Sequence, residues 1–250
     1  MTDWYHKVDR RWMEARAKYL NASAIKEMLP VTETGRKRSQ AQREAAMMKA
    51  WSHHLQTHIP EEALESRGAA ARGHILEPFA LNEYQRCTGE SSVYHWDDVV
   101  IHDKYIGWSP DGMSIPQVKD YGCSWDVDER GRLCAETIFE VKSYSIEKHV
   151  AKLHEGVHEE RWQLAVGMYL QPQTQRAVLI FFNPDCSCGL AYNVYKRSDL
   201  EEEIEMIRET VDDYLDWTKT LAKSCTGLYM NLPHHSSFYK QLCCSSINPK

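Results

Sequence analysis

A carboxylate followed downstream by a Glu-x-Lys tripeptide is the pattern in this 250-residue sequence with the clearest chemical potential. Asp111 lies in a Ser-Pro-Asp-Gly sequence typical of a tight turn, and Glu140 and Lys142 lie in residues 137–142, which alternate as a β-strand does. Side chains alternate along a strand, so Glu140 and Lys142 share one face. Two carboxylates and an ammonium group are what metal-assisted phosphodiester hydrolysis requires. By itself Glu-x-Lys arises about once by chance in such a chain, and a salt bridge along the strand is its simpler interpretation.

The elements that must position these residues follow a mixed α/β pattern. Apolar periodicity and composition predict helices over residues 39–56, 67–86, 146–170 and 199–222. Short apolar or β-branched runs predict strands over residues 99–102, 105–108, 137–142 and 176–182. The sequence therefore predicts an α/β (α+β) fold in which a helical N-terminal third packs on a sheet. We expect a single domain over residues 1–222, followed by a cysteine-rich tail over residues 223–250.

Composition and charge narrow the class of protein. Hydrophobic residues make up 42% and charged residues 26%, which is ordinary for a folded globular protein and argues against extensive disorder. The net charge of −6 is divided unevenly, because residues 1–50 hold 11 Lys/Arg against 6 Asp/Glu. This basic segment indicates either uneven solvated surface or a local cationic site for a phosphate chain. No apolar run approaches membrane-spanning length and no secretory signal is present, so we expect a soluble cytoplasmic protein.

Four segments, taken in order, resemble the lambda exonuclease-like group of PD-(D/E)xK nucleases, also called YqaJ-type viral recombinases. They are Leu20-Asn-Ala-Ser-Ala-Ile25 with Arg16 before it, Ala71-Arg-Gly-His-Ile-Leu-Glu77, Ser109-Pro-Asp-Gly112 with Phe139-Glu-Val-Lys142, and Trp162-Gln163. The resemblance spans roughly residues 10–185, and the ordered set is far more specific than any single motif. It implies a restriction-endonuclease-like fold with a mixed central sheet flanked by helices.

The resemblance also implies a metal-dependent active site. Asp111 and Glu140 would bind Mg²⁺ or Mn²⁺, as two ions per site, with the backbone carbonyl of Val141 as a further ligand. Glu77 would reach the same site from its helix, directly or through water.

The remaining matching residues would act around that site. Lys142 would orient or activate the attacking water, and Gln163 would help to order the site from the next helix. Arg16 and Ser23 would hold the terminal 5′-phosphate of DNA, a role that agrees with the basic N-terminal segment.

The activity implied by the resemblance is digestion of linear duplex DNA from a 5′-phosphorylated end. It would release 5′-mononucleotides and leave a 3′ single strand for an annealing protein in phage or prophage recombination. Members of the group form ring-shaped homotrimers around DNA. This chain departs from the group's pattern at Asn21, in a longer spacing through residues 117–133, and in its cysteine-rich tail.

Two functions of other classes stay open. His154-Glu-Gly-Val-His158 satisfies the HExxH pattern of zinc peptidases, in which both histidines lie on one helical face. With twelve histidines such a match arises by chance in roughly one chain in twenty, and Gly156 weakens a helix by about 1 kcal/mol. A non-catalytic DNA-end-binding module on the same fold is the other alternative.

The cysteines offer ligands for a further metal. Soft ligands that suit zinc are Cys186 and Cys188, together with Cys225, His234, His235, Cys243 and Cys244 of the tail. Their spacings differ from the C-x₂₋₄-C of structural zinc modules, so free thiols are the first expectation. His149 is expected at the surface.

Overall fold

The computed structural model describes residues 19–32, 35–55, 68–96, 100–101, 106–114, 135–155 and 159–224. Its strands are Val93–His95 (β1), Val100–Ile101 (β2), Gly107–Trp108 (β3), Gly112–Ser114 (β4), Thr137–Lys142 (β5), Arg176–Phe182 (β6) and Leu190–Lys196 (β7). Five of them form a mixed sheet in the order β1-β4-β5-β6-β7, in which β5 and β6 are parallel and the other neighbours are antiparallel. β2 and β3 form a separate antiparallel pair.

The helices flank this sheet on both faces. They are Ala22–Met28 (α1), Gln40–Leu55 (α2), Gly68–Thr88 (α3), Ile146–Leu153 (α4), Arg161–Leu170 (α5) and Glu201–Ser224 (α6), with a 3₁₀ turn over Arg197–Leu200. The mixed α/β class predicted from the sequence is therefore confirmed. No helix in the described ranges is long and apolar enough to cross a membrane.

Side chains of β5 point alternately to the two faces of the sheet, and each face contributes to one of two apolar layers. Phe139 and Val141 belong to the layer that packs against Ala80, Leu81 and Tyr84 of α3. The opposite face of β5, with Ile138, belongs to the larger layer formed with α1, α2, α5 and α6. Helix α6 buries one apolar stripe at helical spacing: Leu200 at the junction, then Ile204, Ile207, Val211 and Tyr214.

A close approach of α3 to β4 depends on Gly112. A Cβ atom at this position would lie 2.8 Å from Cδ1 of Leu81, a separation that real Cβ atoms do not show. The absence of a side chain therefore lets Leu81 of α3 pack against β4. Glu77, one turn before Leu81 on α3, is carried toward Asp111 by the same packing.

One expectation about the elements is wrong. The predicted helix over residues 146–170 is two helices, because α4 ends at Leu153 and α5 begins at Arg161. Glu155-Gly156 follows α4, and glycine disfavours continuation of a helix. Strand β7 was not predicted, since its burial alternates only weakly at an edge of the sheet where Tyr192 and Val194 are exposed.

Several expectations fall outside the described residues. These are the position of Arg16, the insertion over 117–133 and the tail cysteines and histidines. The prediction that His149 lies at the surface is also wrong, because its side chain is fully buried.

Candidate active site

Asp111 lies in the bend that enters β4, beside the end of β1. Its backbone N–H donates to the carbonyl of Phe139 at 3.2 Å, and its carbonyl accepts from the N–H of Trp96 at 3.2 Å. Its side-chain Oδ2 accepts from the N–H of Val141 at 2.6 Å. These three hydrogen bonds fix the carboxylate against β5, so the turn aspartate and the Glu-x-Lys strand are neighbours in space.

Glu140 and Lys142 share the face of β5 that carries Ile138 and packs toward α5. Glu140 is only 5% exposed, and Nζ of Lys142 donates to its Oε1. Burial lowers the pKa of Lys142, but the negative charges of Glu140 and Asp111 outweigh it and the pKa is raised. Lys142 is therefore an ammonium group at neutral pH.

Glu77 reaches the cluster from α3 and is held by two histidines. Nδ1 of His74 lies 3.0 Å from Oε1 of Glu77, and Nε2 of His95 lies 3.3 Å from Oε2. Burial raises the pKa of Glu77, but the hydrogen bonds with His74 and His95 outweigh it and lower the pKa to about 2. Glu77 is therefore an anion at neutral pH.

The three carboxylates repel one another at Asp111. Burial raises the pKa of Asp111 well above its usual range, and the charges of Glu140 and Glu77 raise it further. Lys142 and the hydrogen bond from Val141 lower it only in part. One ammonium group thus faces three carboxylates, an excess of negative charge that a bound cation would neutralise.

The donor set fits a hard divalent cation. Mg²⁺ and Mn²⁺ prefer carboxylate, carbonyl and water oxygens, and Asp111, Glu140 and Glu77 supply three carboxylates on adjacent elements. The backbone of Val141 adds to this set. Its N–H points at Asp111, and in a strand the N–H and C=O of one residue point toward the same neighbour. The carbonyl of Val141 is therefore on the side of β5 where Asp111 lies.

A second polar network, which was not predicted from the sequence, lies beyond Lys142. The hydroxyl of Tyr144 donates to Oε1 of Glu160 at 2.5 Å, and Nζ of Lys152 lies 3.1 Å from the same carboxylate oxygen. The charge of Glu160 contributes to the raised pKa of Lys142, so this network extends the electrostatic environment of the cluster. Gln163 is half-buried one turn later, on α5.

The segment predicted to bind DNA ends is described only in part. Ser23 is exposed near the start of α1, where Asn21 caps the helix by accepting from the N–H of Ala24 at 3.0 Å. Asn is a preferred helix-capping residue, so the departure at Asn21 leaves the start of this helix capped. The N–H of Gly107 donates to the carbonyl of Leu20 at 3.1 Å, which ties the start of α1 to the strand that precedes the Asp111 bend.

Part of the basic N-terminal segment has a structural role. Arg43 forms an ion pair with Asp213 of α6 at 2.8 Å and donates to the carbonyl of Met28. Lys49 forms an ion pair with Glu27 at 2.9 Å. Asp213 lies outside the basic segment, so its pairing with Arg43 offsets one of the excess positive charges of residues 1–50, whereas the Lys49–Glu27 pair lies within that segment and leaves its balance unchanged.

The HExxH motif does not keep the helix that its chemistry needs. His154 is exposed and caps the end of α4, while His158 lies outside the described residues. A zinc peptidase site requires both histidines on one continuous helical face. Because α4 ends at Leu153, before His154, the peptidase alternative loses its structural basis.

Comparison with known proteins assigns the chain to a family. The sequence pattern of the YqaJ-like viral recombinase domain matches residues 11–179. No curated protein sequence shows a significant match.

Solved structures of exonucleases share the fold. An alkaline exonuclease (LHK-Exo) from Laribacter hongkongensis is similar with a TM-score of 0.60 and 19% identity, over 88% of this chain and 99% of that chain. Its complex with dAMP gives a TM-score of 0.59 and 18% identity over the same shares. A phage related exonuclease from Haemophilus somnus 129PT gives 0.50 and 14%, over 81% of this chain and 95% of that one. At these identities the likeness concerns the fold.

Proposed function

Because the chain belongs to the family of YqaJ-like viral recombinase domains, we propose that it is a metal-dependent 5′-to-3′ exodeoxyribonuclease acting on linear double-stranded DNA. The observation that carries this proposal is the cluster of Asp111, Glu140, Glu77 and Lys142 at one end of β5. Its excess negative charge suits divalent cations, and its fixed ammonium group suits a phosphodiester substrate.

Each residue of the cluster would have its own role in hydrolysis. Asp111, Glu140 and the carbonyl of Val141 would hold Mg²⁺ or Mn²⁺, with Glu77 at the other side, and the three carboxylates are enough for two ions. When bound, these ions lower the pKa of water and neutralise charge on the phosphate. Lys142 donates hydrogen bonds that orient the attacking water and the scissile phosphate.

Gln163 would help to order the site from α5. The released product would be a 5′-mononucleotide, and the structure of the similar alkaline exonuclease in complex with dAMP supports that product. The undigested strand would remain as a 3′ overhang.

Recognition of the DNA end is assigned to the N-terminal segment. Arg16 and Ser23 would hold the terminal 5′-phosphate, and the tie between α1 and the strand before Asp111 supports a place for this phosphate beside the cluster. We further propose a ring-shaped homotrimer that encircles the duplex, acts inside a cell that carries the phage or prophage, and passes the overhang to an annealing protein.

The test is digestion of linear duplex DNA labelled at either the 5′ or the 3′ end, with Mg²⁺ or EDTA, beside a circular duplex. We expect metal-dependent release of labelled mononucleotide from the 5′ end, with the circle intact. Glu140→Gln serves as the inactive control, because it removes a proposed ligand while keeping the size of the side chain. Binding of DNA ends without digestion, by folded protein with metal, would instead support the non-catalytic module.

End recognition is tested separately with substrates that carry or lack a 5′-phosphate. Arg16→Ala and Ser23→Ala should lower the preference for phosphorylated DNA ends, while both variants should still cleave DNA. An Arg16→Ala protein with the full preference would contradict the assignment.

A further inference from the structure

The loop between β6 and β7 is held in one conformation by its own hydrogen bonds. The N–H of Asn183 donates to the carbonyl of Gly189 at 2.8 Å, and the N–H of Cys186 donates to the carbonyl of Asn183 at 3.2 Å. A Cβ atom at Gly189 would lie 2.7 Å from that carbonyl, so only glycine fits there. The side chain of Asn183 also donates to the carbonyl of Tyr144 at 2.9 Å, which fixes the loop to the connection between β5 and α4.

This fixed loop brings two thiols to a buried histidine. Sγ of Cys186 and Sγ of Cys188 are 3.3 Å apart, with Cys186 half-buried and Cys188 exposed. His149 of α4 is fully buried beside them. One ring nitrogen of His149 and the two sulfur atoms all lie within 4.8 Å of one another. Among the described residues, this is the one group of three such ligands at that spacing, and the carboxylates of the active site are more widely spaced.

The hydrogen bonding of His149 leaves a ring nitrogen available. Nε2 lies 3.0 Å from the carbonyl oxygen of Cys188, and a carbonyl only accepts, so Nε2 carries the proton. Nδ1 then holds a lone pair, and it is buried with no hydrogen-bond partner among the described residues. A buried acceptor left in this state costs about 1–3 kcal/mol. Histidines that bind metals commonly donate their other ring N–H to a backbone carbonyl, as His149 does.

We propose that Cys186, Cys188 and His149 form a zinc site, separate from the active site and independent of the proposed function. Two thiolates and one imidazole are a ligand set for Zn²⁺, which accepts three protein ligands and one water molecule in tetrahedral geometry. Exposure of Cys188 leaves that fourth position open to solvent. Zn–S bonds of about 2.3 Å at a tetrahedral angle place two sulfur atoms roughly 3.8 Å apart, so the observed pair needs only a small opening.

The two metal sites would select different ions. The carboxylates of the active site prefer hard Mg²⁺ or Mn²⁺, whereas the thiolates prefer zinc. Zinc would link α4 to the loop after β6, because His149 and the two cysteines come from these two elements. We therefore expect a structural effect on α4 and on the loop, and no direct part in hydrolysis.

Cobalt substitution of the full chain in reduced form tests this proposal. Co²⁺ bound by thiolates gives charge-transfer absorption in the near ultraviolet, which Co²⁺ bound by carboxylates lacks. We expect this absorption and one equivalent of bound zinc per chain in the wild type. Cys186→Ser and Cys188→Ser should each lose both signals. Cys87→Ser is the matched control, because Cys87 is an exposed free thiol on α3, and it should keep them.

Further outcomes distinguish this site from its neighbours. Glu140→Gln should keep the thiolate absorption, since it alters only the active site. Absorption that survives both cysteine variants would assign the ligands to the tail and overturn the proposal. A disulfide between Cys186 and Cys188, with no zinc bound after reduction, would also overturn it. The cysteines are half-buried or exposed, so their serine variants should fold, which circular dichroism checks.

Discussion

The crowding of negative charge at Asp111 predicts that Asp111→Asn stabilises the metal-free protein while it abolishes cleavage. Burial and the charges of Glu140 and Glu77 raise the pKa of Asp111, so its ionised form is disfavoured in the folded state. An asparagine removes this charge. Its side-chain oxygen can still accept the hydrogen bond from Val141, because the two side chains have the same shape.

The size of the effect follows from two opposed contributions. At an effective dielectric constant of about 20, a pair of unit charges several ångströms apart interacts by roughly 2–3 kcal/mol. The charges of Glu140 and Glu77 repel that of Asp111, and the charge of Lys142 attracts it. The neutral hydrogen bond is about 1 kcal/mol weaker than the charged one. We expect a net gain of about 1–2 kcal/mol, which corresponds to a rise in Tm of about 2–8 °C for a chain of this size.

The pH dependence has a definite sign. A carboxyl group with a raised pKa in the folded state destabilises the fold: the penalty is full above the folded-state pKa and shrinks as pH falls from there to the ordinary value of 3.8, where it is gone. The difference in Tm between Asp111→Asn and the wild type should therefore shrink as the buffer is made more acidic.

Thermal melts in EDTA and in Mg²⁺ measure both effects. Mg²⁺ should raise the Tm of the wild type, because it binds the folded state and offsets the repulsion, and should raise that of Asp111→Asn much less. Asp212→Asn is the control, since Asp212 is an exposed carboxylate on α6 and should behave as wild type. The electrostatic reasoning would be refuted by an Asp111→Asn protein whose Tm in EDTA is below that of the wild type. It would also be refuted if Mg²⁺ raised the Tm of this variant as much as it raises that of the wild type.

Four further predictions concern the carboxylate cluster and the helices that pack around it. Lys142→Ala should lower the cleavage rate by about 10²–10⁴-fold with DNA binding retained, and a rate near that of the wild type would contradict its role. Glu77 has a pKa of about 2, so its stabilising contribution is present above its ordinary value of 4.5 and lost as pH falls from there to about 2. Glu77→Gln should therefore lose less unfolding free energy than the wild type over that pH range. Gly167→Ala should cost about 1–3 kcal/mol and slow cleavage, because its Cβ would lie 2.6 Å from Trp108, three residues before Asp111. In contrast, Gly73→Ala meets no atom within 4 Å on α3 and should stabilise by about 0.5–1 kcal/mol in urea unfolding.

The two central strands at the candidate active site, β5 and β6, were predictable because their signals are local. The alternation of residues 137–142 and the continuous apolar run of 177–182 correspond to β5 and β6. The Pro-Asp-Gly turn likewise lies where the sequence places it, next to β4. Strong periodicity and turn chemistry therefore located Asp111, Glu140 and Lys142 without tertiary information.

The two histidine partners of Glu77 differ in whether the sequence alone could have identified them. His74 precedes Glu77 by three residues, so the pair on one face of α3 could have been identified from helical spacing. His95 lies eighteen residues away on a short strand, and its contact exists only because β1 packs against α3. Contacts of this second kind depend on the whole fold and have no sequence pattern of their own.

Helix α4 reverses the usual relation between polarity and burial. Its apolar residues Ile146 and Val150 are 47% and 38% exposed, whereas His149 and Lys152 are buried. Sequence reasoning placed His149 at the surface because polar side chains are usually exposed. Burial of a polar group is costly unless it has partners, and Lys152 has the carboxylates of Glu155 and Glu160. The lone pair on Nδ1 of His149 lacks a partner among the described residues, and the proposed zinc ion would supply one for this buried side chain.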